Sequence, residues 1–421
     1  MDKLLVYGGH AIDGSVVISG SKNAALPILF ATVLTNNVIT LHNVPRLHDI
    51  EIAIQLLENL GVVINWIDKN SLLINTSKID NFEASYELVK QMRASVLMLG
   101  PLMGRYQKAK VSLPGGCAIG ARPIDQHLKG LEKLGANFDL EGGYITGFAK
   151  AQYLSGSKIT MDIVTVTGTE NLLMAAVLAK GTTYLENAAI EPEVCDLANF
   201  LNTLGAKIEG SGTNSLKIEG VKELHGGEYI VMPDRIEAGT YLANGAISGG
   251  RVRVEKVNPN DLTIVLEKFE EMGGDISVGK DTIVIDMHGN RPKAVNLVTK
   301  VYPGFPTDMQ AQFLAINCIA EGTGIVEETI FENRMMHVQE LKRLGANIDL
   351  HGNIATVFGR EKLSGAVVMA TDLRASASLV LAGLVAKGET IIDRIYHIDR
   401  GYEHLEKKLS ALGAKVMRIK S

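Results

Sequence analysis

Apolar positions along this chain fall into two kinds of segment that alternate. One kind has helical spacing: Ile50, Ala53, Ile54 and Leu57; Val194, Leu197, Ala198 and Leu201; Leu262, Val265, Leu266 and Phe269. Positions three and four apart lie on one stripe, so these are helices with one face on a core. The other kind is apolar at almost every position and covers residues 24–34, 94–103, 171–179, 238–247, 311–320 and 375–386. A helix that is apolar all round is a buried helix. The amphipathic segments end on one recurring pair: Leu60-Gly61, Leu134-Gly135, Leu204-Gly205, Met272-Gly273, Leu344-Gly345 and Leu412-Gly413. Glycine closes a helix there because it enters the left-handed conformation at little cost. A short strand follows each glycine, such as Val62-Val63-Ile64 or Ala346-Asn347-Ile348. A second strand follows each buried segment, at 38–41, 110–113, 182–186, 251–255, 324–327 and 389–393.

The glycines are spaced by 74, 70, 68, 72 and 68 residues, and a near-constant period carried six times is an internal repeat. One unit reads strand, buried helix, strand, amphipathic helix, strand. The predicted fold is α/β, with two domains of three units each, helices inside and sheets outside. A chain of 421 residues is also too long for one ordinary core. The expected domains are residues 21–232, and 1–20 together with 233–421. Pro233-Asp234-Arg235 marks the crossing, and the N-terminal residues return to complete the second domain.

Composition narrows the class. Hydrophobic residues make up 46% but aromatics only 5%, so the cores are built from Leu, Ile, Val and Ala. A net charge of −5 and a pI near 6.1 argue against bulk binding to nucleic acid or anionic membrane, so an anionic ligand needs a local cationic cluster. No stretch approaches 18 uninterrupted apolar residues, and the first ten residues are too short in apolar content for a signal peptide. Cys117, Cys195 and Cys318 form no metal-ligand spacing and no even set, which reads as a reduced, cytoplasmic protein. Oligomeric state stays open, with a monomer favoured.

Candidate chemistry lies where the buried helices start. The starts are Ser21-Lys22-Asn23, Arg93-Ala94-Ser95, Thr167-Gly168-Thr169-Glu170, Asp234-Arg235-Ile236-Glu237, Pro306-Thr307-Asp308 and Asp372-Leu373-Arg374. The first turn of a helix has unpaired N–H groups and partial positive charge. Three such ends on one face of each domain, opposed across a cleft, would attract a polyanion. Capping accounts for Ser, Thr and Asp at such positions, whereas Lys22, Arg93 and Arg374 oppose the helix dipole. The stretch from Pro114 to Pro123 has no amphipathic period and holds three glycines, Cys117 and Arg122. It reads as a loop before a helix that begins at Asp125, with Arg122 placed to meet an anion. A surface loop with an incidental cysteine is the alternative. Gly14 to Lys22 misses the spacing of a phosphate loop, no dinucleotide glycine motif follows a strand, and no His-x-x-x-His pair or Gly-x-Ser-x-Gly elbow occurs. No cofactor and no metal are expected.

These features together resemble the enolpyruvyl transferases across the whole chain. The matching stretches are Ser21-Lys22-Asn23, the loop from Pro114 to Asp125, Pro233-Asp234-Arg235-Ile236-Glu237, Pro306-Thr307-Asp308, Phe331-Glu332-Asn333-Arg334 and Asp372-Leu373-Arg374. The resemblance implies two inside-out α/β barrel domains, each of three repeats, with the active site in the cleft between them. It implies transfer of the enolpyruvyl group of phosphoenolpyruvate to the 3-hydroxyl of UDP-N-acetylglucosamine, by addition and elimination, as the first committed step of peptidoglycan synthesis. The cysteine loop separates this branch from the one acting on shikimate 3-phosphate, which is the alternative. The implied catalytic residues are Cys117 as acid, Asp308 as base, and Lys22 and Arg400 as cations. Lys22, Asn23, Arg122 and Arg400 would hold phosphoenolpyruvate, and Arg93 would link the cysteine loop to substrate. Arg122, Pro123, Ile124, Asp125 and Gln126, with Lys158, Thr165, Val166 and Thr167, would form the wall for the uridine diphosphate. Asp308 and Ile330 would touch the sugar, and Asp372 and Arg374 complete the binding set. Val164-Thr165-Val166-Thr167 carries Thr where relatives often have Ser and Gly, and His48 stands where they often have Lys.

Overall fold

The computed structural model describes residues 2–113 and 124–420, so Cys117, Arg122 and Pro123 lie outside the described residues. Two compact units emerge, one from residues 20–113 and 124–232, the other from 2–19 and 233–420. Each has its own core of aliphatic side chains, with few aromatics among them.

Among the described residues there are six four-stranded sheets, three in each unit, all with one pairing pattern: parallel, antiparallel, antiparallel. In the third repeat Lys158–Thr160 pairs parallel with Thr182–Glu186. That strand pairs antiparallel with Ser215–Glu219, which pairs in turn with Lys207–Glu209. The strands alternate, as in Thr323–Glu327, where Gly324 and Val326 are buried and their neighbours exposed or partly so. Each sheet therefore has one wet face and one face on the core.

The uniformly apolar segments are the helices inside. One unit holds Lys22–Ala31, Leu99–Tyr106 and Val166–Ala176, and the other holds Arg235–Ser248, Gln310–Asn317 and Leu373–Val385. In Arg235–Ser248 every side chain from Arg235 to Ile247 is buried. The second and fifth segments begin as 3-10 turns, at Arg93–Met98 and Thr307–Met309, and only then become α-helix. In the second, the α-helix starts at Leu99 and Pro101 falls in its first turn, where a missing N–H costs no helical bond. The amphipathic helices end as predicted. Gly61, Gly135, Gly205, Gly273, Gly345 and Gly413 all have φ between +90° and +101°, the left-handed closure that favours glycine.

The first and last strands of each unit close it. Gly227–Ile230 runs parallel to Val38–His42 and completes the first sheet. Asp13–Val17 runs parallel to Arg251–Glu255 in the fourth. Lys3–Tyr7 lies between Glu389–Asp393 and Lys415–Ile419 in the sixth, taking the position that a later strand fills in the other repeats. No helix among the described residues is long and apolar enough to cross a membrane.

Candidate active site

In the unit of residues 20–232, the helix starts gather donors. Ser21 caps Lys22–Ala31 by accepting from the Ala24 N–H, which leaves Lys22 as the first helical residue. Its Nζ lies 3.3 Å from Oδ2 of Asp49, a buried carboxylate in the first turn of His48–Asn59. Asp49 thus holds one cation against a helix end that repels it. Asn23 beside it is exposed. Arg93 is half-buried and opens the 3-10 turn of the second repeat.

Asp125 starts the helix Asp125–Lys133 and is exposed, Ile124 before it is half-buried, and Gln126 is buried. The Gln126 carbonyl oxygen accepts from the Asp162 N–H at 2.9 Å, while its amide donates to Asp162 Oδ2 and Asp125 Oδ2, both at 3.1 Å. These bonds bring the segment after the cysteine loop against residues 159–162. The two line a cavity of about 250 Å³ with Lys129, Gly130 and Lys133. Lys158 is exposed at the start of the adjoining strand. Thr165 caps Val166–Ala176 by accepting from the Gly168 N–H, so Val166 and Thr167 form its first turn. Below them His127 is buried, and burial, with the charge of Arg93, pulls its pKa to about 4 against the opposing pull of Asp125.

The other unit centres on Asp308. Its Oδ1 accepts from Arg334 Nη2 at 2.6 Å and its Oδ2 from Arg374 Nη2 at 3.2 Å. Arg334 uses its second arm on the Thr307 hydroxyl at 2.9 Å, so one guanidinium fork reads two adjacent residues. Arg374 uses its other arm on the Tyr402 hydroxyl at 3.1 Å. Tyr402 in turn meets Thr240 of the fourth core helix at 3.0 Å, and Gln312 of the fifth donates to Thr240. Burial alone would lower the Arg374 pKa, but Tyr402, Asp308 and Asp234 together raise it. The starts of the fifth and sixth core helices therefore meet at the half-buried Asp308, and the fourth joins the network through Thr240. Asp372 serves as the cap of Leu373–Val385, accepting from the N–H groups of Arg374 and Ala375 at 3.0 Å each. Glu328 holds the loop at Ile330, accepting from the backbone of Ile330 at 2.8 Å and of Phe331 at 3.1 Å. Arg400 is half-buried at the end of the 3-10 turn Ile395–Arg400, and its charge helps lower the pKa of His397, after burial as the larger cause.

Several polar partners were not among the candidate residues: Asp49, His127, Asn171, Arg334 and Tyr402. Arg334 has a sequence signal, because Phe331-Glu332-Asn333-Arg334 is one of the stretches that carried the resemblance. Asp49, His127 and Asn171 lie inside regular helices and Tyr402 in the short link before Leu405–Ala411, where nothing in the local pattern separates them from ordinary core or surface residues. Among the described residues no group of three or more His, Cys, Asp or Glu side chains is placed to hold a metal ion.

Comparison with known proteins adds a second line of observation. The family model of EPSP synthase (3-phosphoshikimate 1-carboxyvinyltransferase) matches residues 6–409. A UDP-N-acetylglucosamine 1-carboxyvinyltransferase of Idiomarina loihiensis is 57% identical over 419 residues, covering 100% of both chains. Among solved structures, the enolpyruvyl transferase NikO of Streptomyces tendae superposes with a TM-score of 0.89 at 24% identity, over 99% of this chain and 98% of that one. An EPSP synthase of Acinetobacter baumannii superposes with a TM-score of 0.77 at 17% identity, over 100% of both chains.

Proposed function

The chain belongs to the enolpyruvyl transferase family, and we propose that it transfers the enolpyruvyl group of phosphoenolpyruvate to the 3-hydroxyl of UDP-N-acetylglucosamine, releasing phosphate. The observation that carries this choice of acceptor is the 57% identity along the whole chain to a UDP-N-acetylglucosamine 1-carboxyvinyltransferase. The likeness to the EPSP synthase of Acinetobacter baumannii, at 17%, is one of fold. In this reading the protein acts in the cytoplasm at the first committed step of peptidoglycan synthesis.

The chemistry needs a base for the hydroxyl proton, an acid for the methylene carbon, and cations for the phosphate and carboxylate. Asp308 is the base. A carboxylate with a guanidinium on each oxygen is a weaker base than a solvated one, so one contact must give way. The Arg374 contact, at 3.2 Å against 2.6 Å for Arg334, is the one that yields, and Oδ2 takes the proton. As Asp308 takes the hydroxyl proton, the sugar oxygen bonds to C2 of phosphoenolpyruvate and Cys117 gives its proton to the methylene carbon, which makes the tetrahedral adduct. In elimination the new methyl group gives a proton back to the Cys117 thiolate, the C2–O bond to phosphate breaks, and the proton on Asp308 leaves with the phosphate. A thiol near cations has a lowered pKa and doubles as a nucleophile. Lys22, Asn23, Arg122 and Arg400 hold phosphoenolpyruvate, and Arg93 links the cysteine loop to substrate. The cavity beside Gln126 and residues 159–162 supports a place for the uridine, with Pro123, Ile124, Asp125 and Lys158 around it and Thr165, Val166 and Thr167 on the diphosphate. Ile330 touches the sugar, and Asp372 with Arg374 orders the ground around Asp308.

The test is phosphate release. Purified protein given phosphoenolpyruvate and UDP-N-acetylglucosamine should release phosphate, and given shikimate 3-phosphate it should not. Release with shikimate 3-phosphate alone would reverse the assignment.

A further inference from the structure

Glu328 is a buried carboxylate that takes no part in the chemistry above. It follows the strand Thr323–Glu327, which runs parallel to Leu297–Val298 in the fifth sheet. That register sets Glu328 beside Thr299, just past the strand ends, and the Thr299 N–H donates to the Glu327 carbonyl at 3.0 Å. Asn353 fixes Glu328 from the other side. The Asn353 backbone carbonyl accepts from the Glu328 N–H at 2.9 Å, and its side-chain amide donates to the Glu328 carbonyl at 2.8 Å.

The two carboxylate oxygens meet different partners. Oε1 accepts from the N–H groups of Ile330 and Phe331, at 2.8 Å and 3.1 Å, and from the Thr299 hydroxyl at 3.0 Å. Oε2 accepts from the Thr307 hydroxyl at 2.8 Å. Each threonine oxygen also receives a donor, the Thr329 N–H at 2.8 Å on Thr299 and Arg334 Nη1 at 2.9 Å on Thr307. Each therefore passes its own proton to Glu328. All four groups donate to the carboxylate, which is what an ionised acid requires. The path through Oε2 goes on to the reacting group. Arg334 is buried, and its Nη2 holds Asp308 Oδ1 at 2.6 Å. The two Nη groups share one rigid plane, so fixing Nη1 on Thr307 fixes the direction from which Nη2 meets Asp308. When Oδ2 takes the hydroxyl proton, the Arg334 contact keeps the carboxyl from turning.

We propose that Glu328 is a positioning residue with two separable effects. Through Thr307 and Arg334, Oε2 holds the Asp308 carboxylate in the orientation that accepts the proton. Through Thr299 and the backbone of Ile330 and Phe331, Oε1 holds the loop that meets the acceptor sugar. The proposal rests on the functional reading above for Asp308 as base and for Ile330 at the sugar.

Steady-state phosphate release by the full chain separates the two oxygens. Thr307→Val keeps the shape and removes the hydroxyl that joins Oε2 to Arg334. Its kcat should fall about 10- to 100-fold, the range for hydrogen bonds to charged groups, while KM for UDP-N-acetylglucosamine changes by less than about threefold. Thr307→Ser should recover most of the loss. Thr299→Val cuts on the Oε1 side, so KM should rise about 3- to 10-fold with kcat within about twofold. Glu328→Gln sets an amide donor against these donors and should lower kcat and raise KM together. A second measurement needs no turnover. A guanidinium held at both Nη groups rotates slowly, so nitrogen NMR of arginine-labelled protein should show separate Nη signals that vanish in Arg334→Lys. Those signals should merge in Thr307→Val. A Thr307→Val protein with the parent's kcat, equal kcat losses in the two valine variants, or Arg334 signals unchanged by Thr307→Val would overturn the proposal. A parent that releases no phosphate overturns the functional reading instead, and the arginine signals still decide whether Thr307 holds Arg334.

Discussion

Glu170 is the residue whose setting is most at odds with its charge. It is fully buried in the first turns of the third core helix, and burial, then Glu193 and Glu191, raise its pKa well above the ordinary carboxylate value. A raised folded pKa means that the unfolded chain releases this proton first, so Glu170 destabilises increasingly as pH rises above about 4.5. His127 and His337 act in the opposite sense. Both are held near a pKa of about 4, mainly by burial, so their contribution is complete above about 6.5 and is lost as pH falls toward 4. Glu170→Gln should therefore stabilise the protein at pH 7, with the gain shrinking toward pH 4.5, and its stability should fall more steeply with acid than the parent's. Denaturant melts across that range check this, and a gain independent of pH would contradict it. At Asp308 the prediction divides stability from catalysis. Asp308→Ala leaves two buried guanidiniums without their carboxylate, which costs about 3–5 kcal/mol. Asp308→Asn should be milder in stability and bind the nucleotide sugar within about tenfold, yet lose about 10²–10⁴ in turnover. Equal losses in binding and turnover would make Asp308 a positioning residue. Cys117→Ser should abolish turnover because a hydroxyl is too weak an acid, whereas Cys117→Asp should retain it with a more acidic optimum and resist epoxide alkylation. Alkylation at Cys195, or at the buried Cys318, whose thiol burial pushes up to about 12, would refute the role.

At the scale of elements, the helix-closing glycines were legible because their physics is local: a helix end needs a left-handed residue whatever surrounds it. The structure adds how unequal they are. A Cβ on Gly135 would meet nothing within 4 Å, so Gly135→Ala should cost only the backbone strain, about 1–2 kcal/mol. On Gly61 it would fall 2.4 Å from the Lys78 carbonyl oxygen, so Gly61→Ala should cost clearly more. Urea titrations of the two variants measure the difference, and equal midpoints would argue that the chain near Lys78 gives way freely. The 3-10 openings at Arg93–Met98 and Thr307–Met309 were not legible, because apolar spacing of three and of four both read as helix over so few residues. Those two turns are where Arg93 and Asp308 sit.

At the scale of the molecule, the strand pairing makes one unit complete in sequence and the other not. Residues 20–232 supply every strand of their three sheets, whereas 233–421 lacks Lys3–Tyr7 and Asp13–Val17. A fragment of 20–232 should fold alone and 233–421 should not. Because Lys3 pairs with Ile419, residues 233–421 followed directly by 1–19 should fold, with the joined ends as a short hairpin loop. Circular dichroism and cooperative melts of the three fragments test this, and a cooperative fold for 233–421 alone would refute it. The sequence by itself determined the repeat, the buried and the half-buried helices and the glycine stops, since each follows from periodicity within about 20 residues. It also marked Lys22, Arg93 and Arg374 as charges that capping does not explain. Only the tertiary structure decided their partners. Lys22 meets Asp49, 27 residues away, and Arg374 meets Asp308, 66 residues away. His127 reaches Asn171, 44 residues away. Such pairs are set by how helices pack around a core, within a repeat for Lys22 and Asp49 and between repeats for the other two, and the sequence carries no local pattern of spacing for contacts made between separate elements.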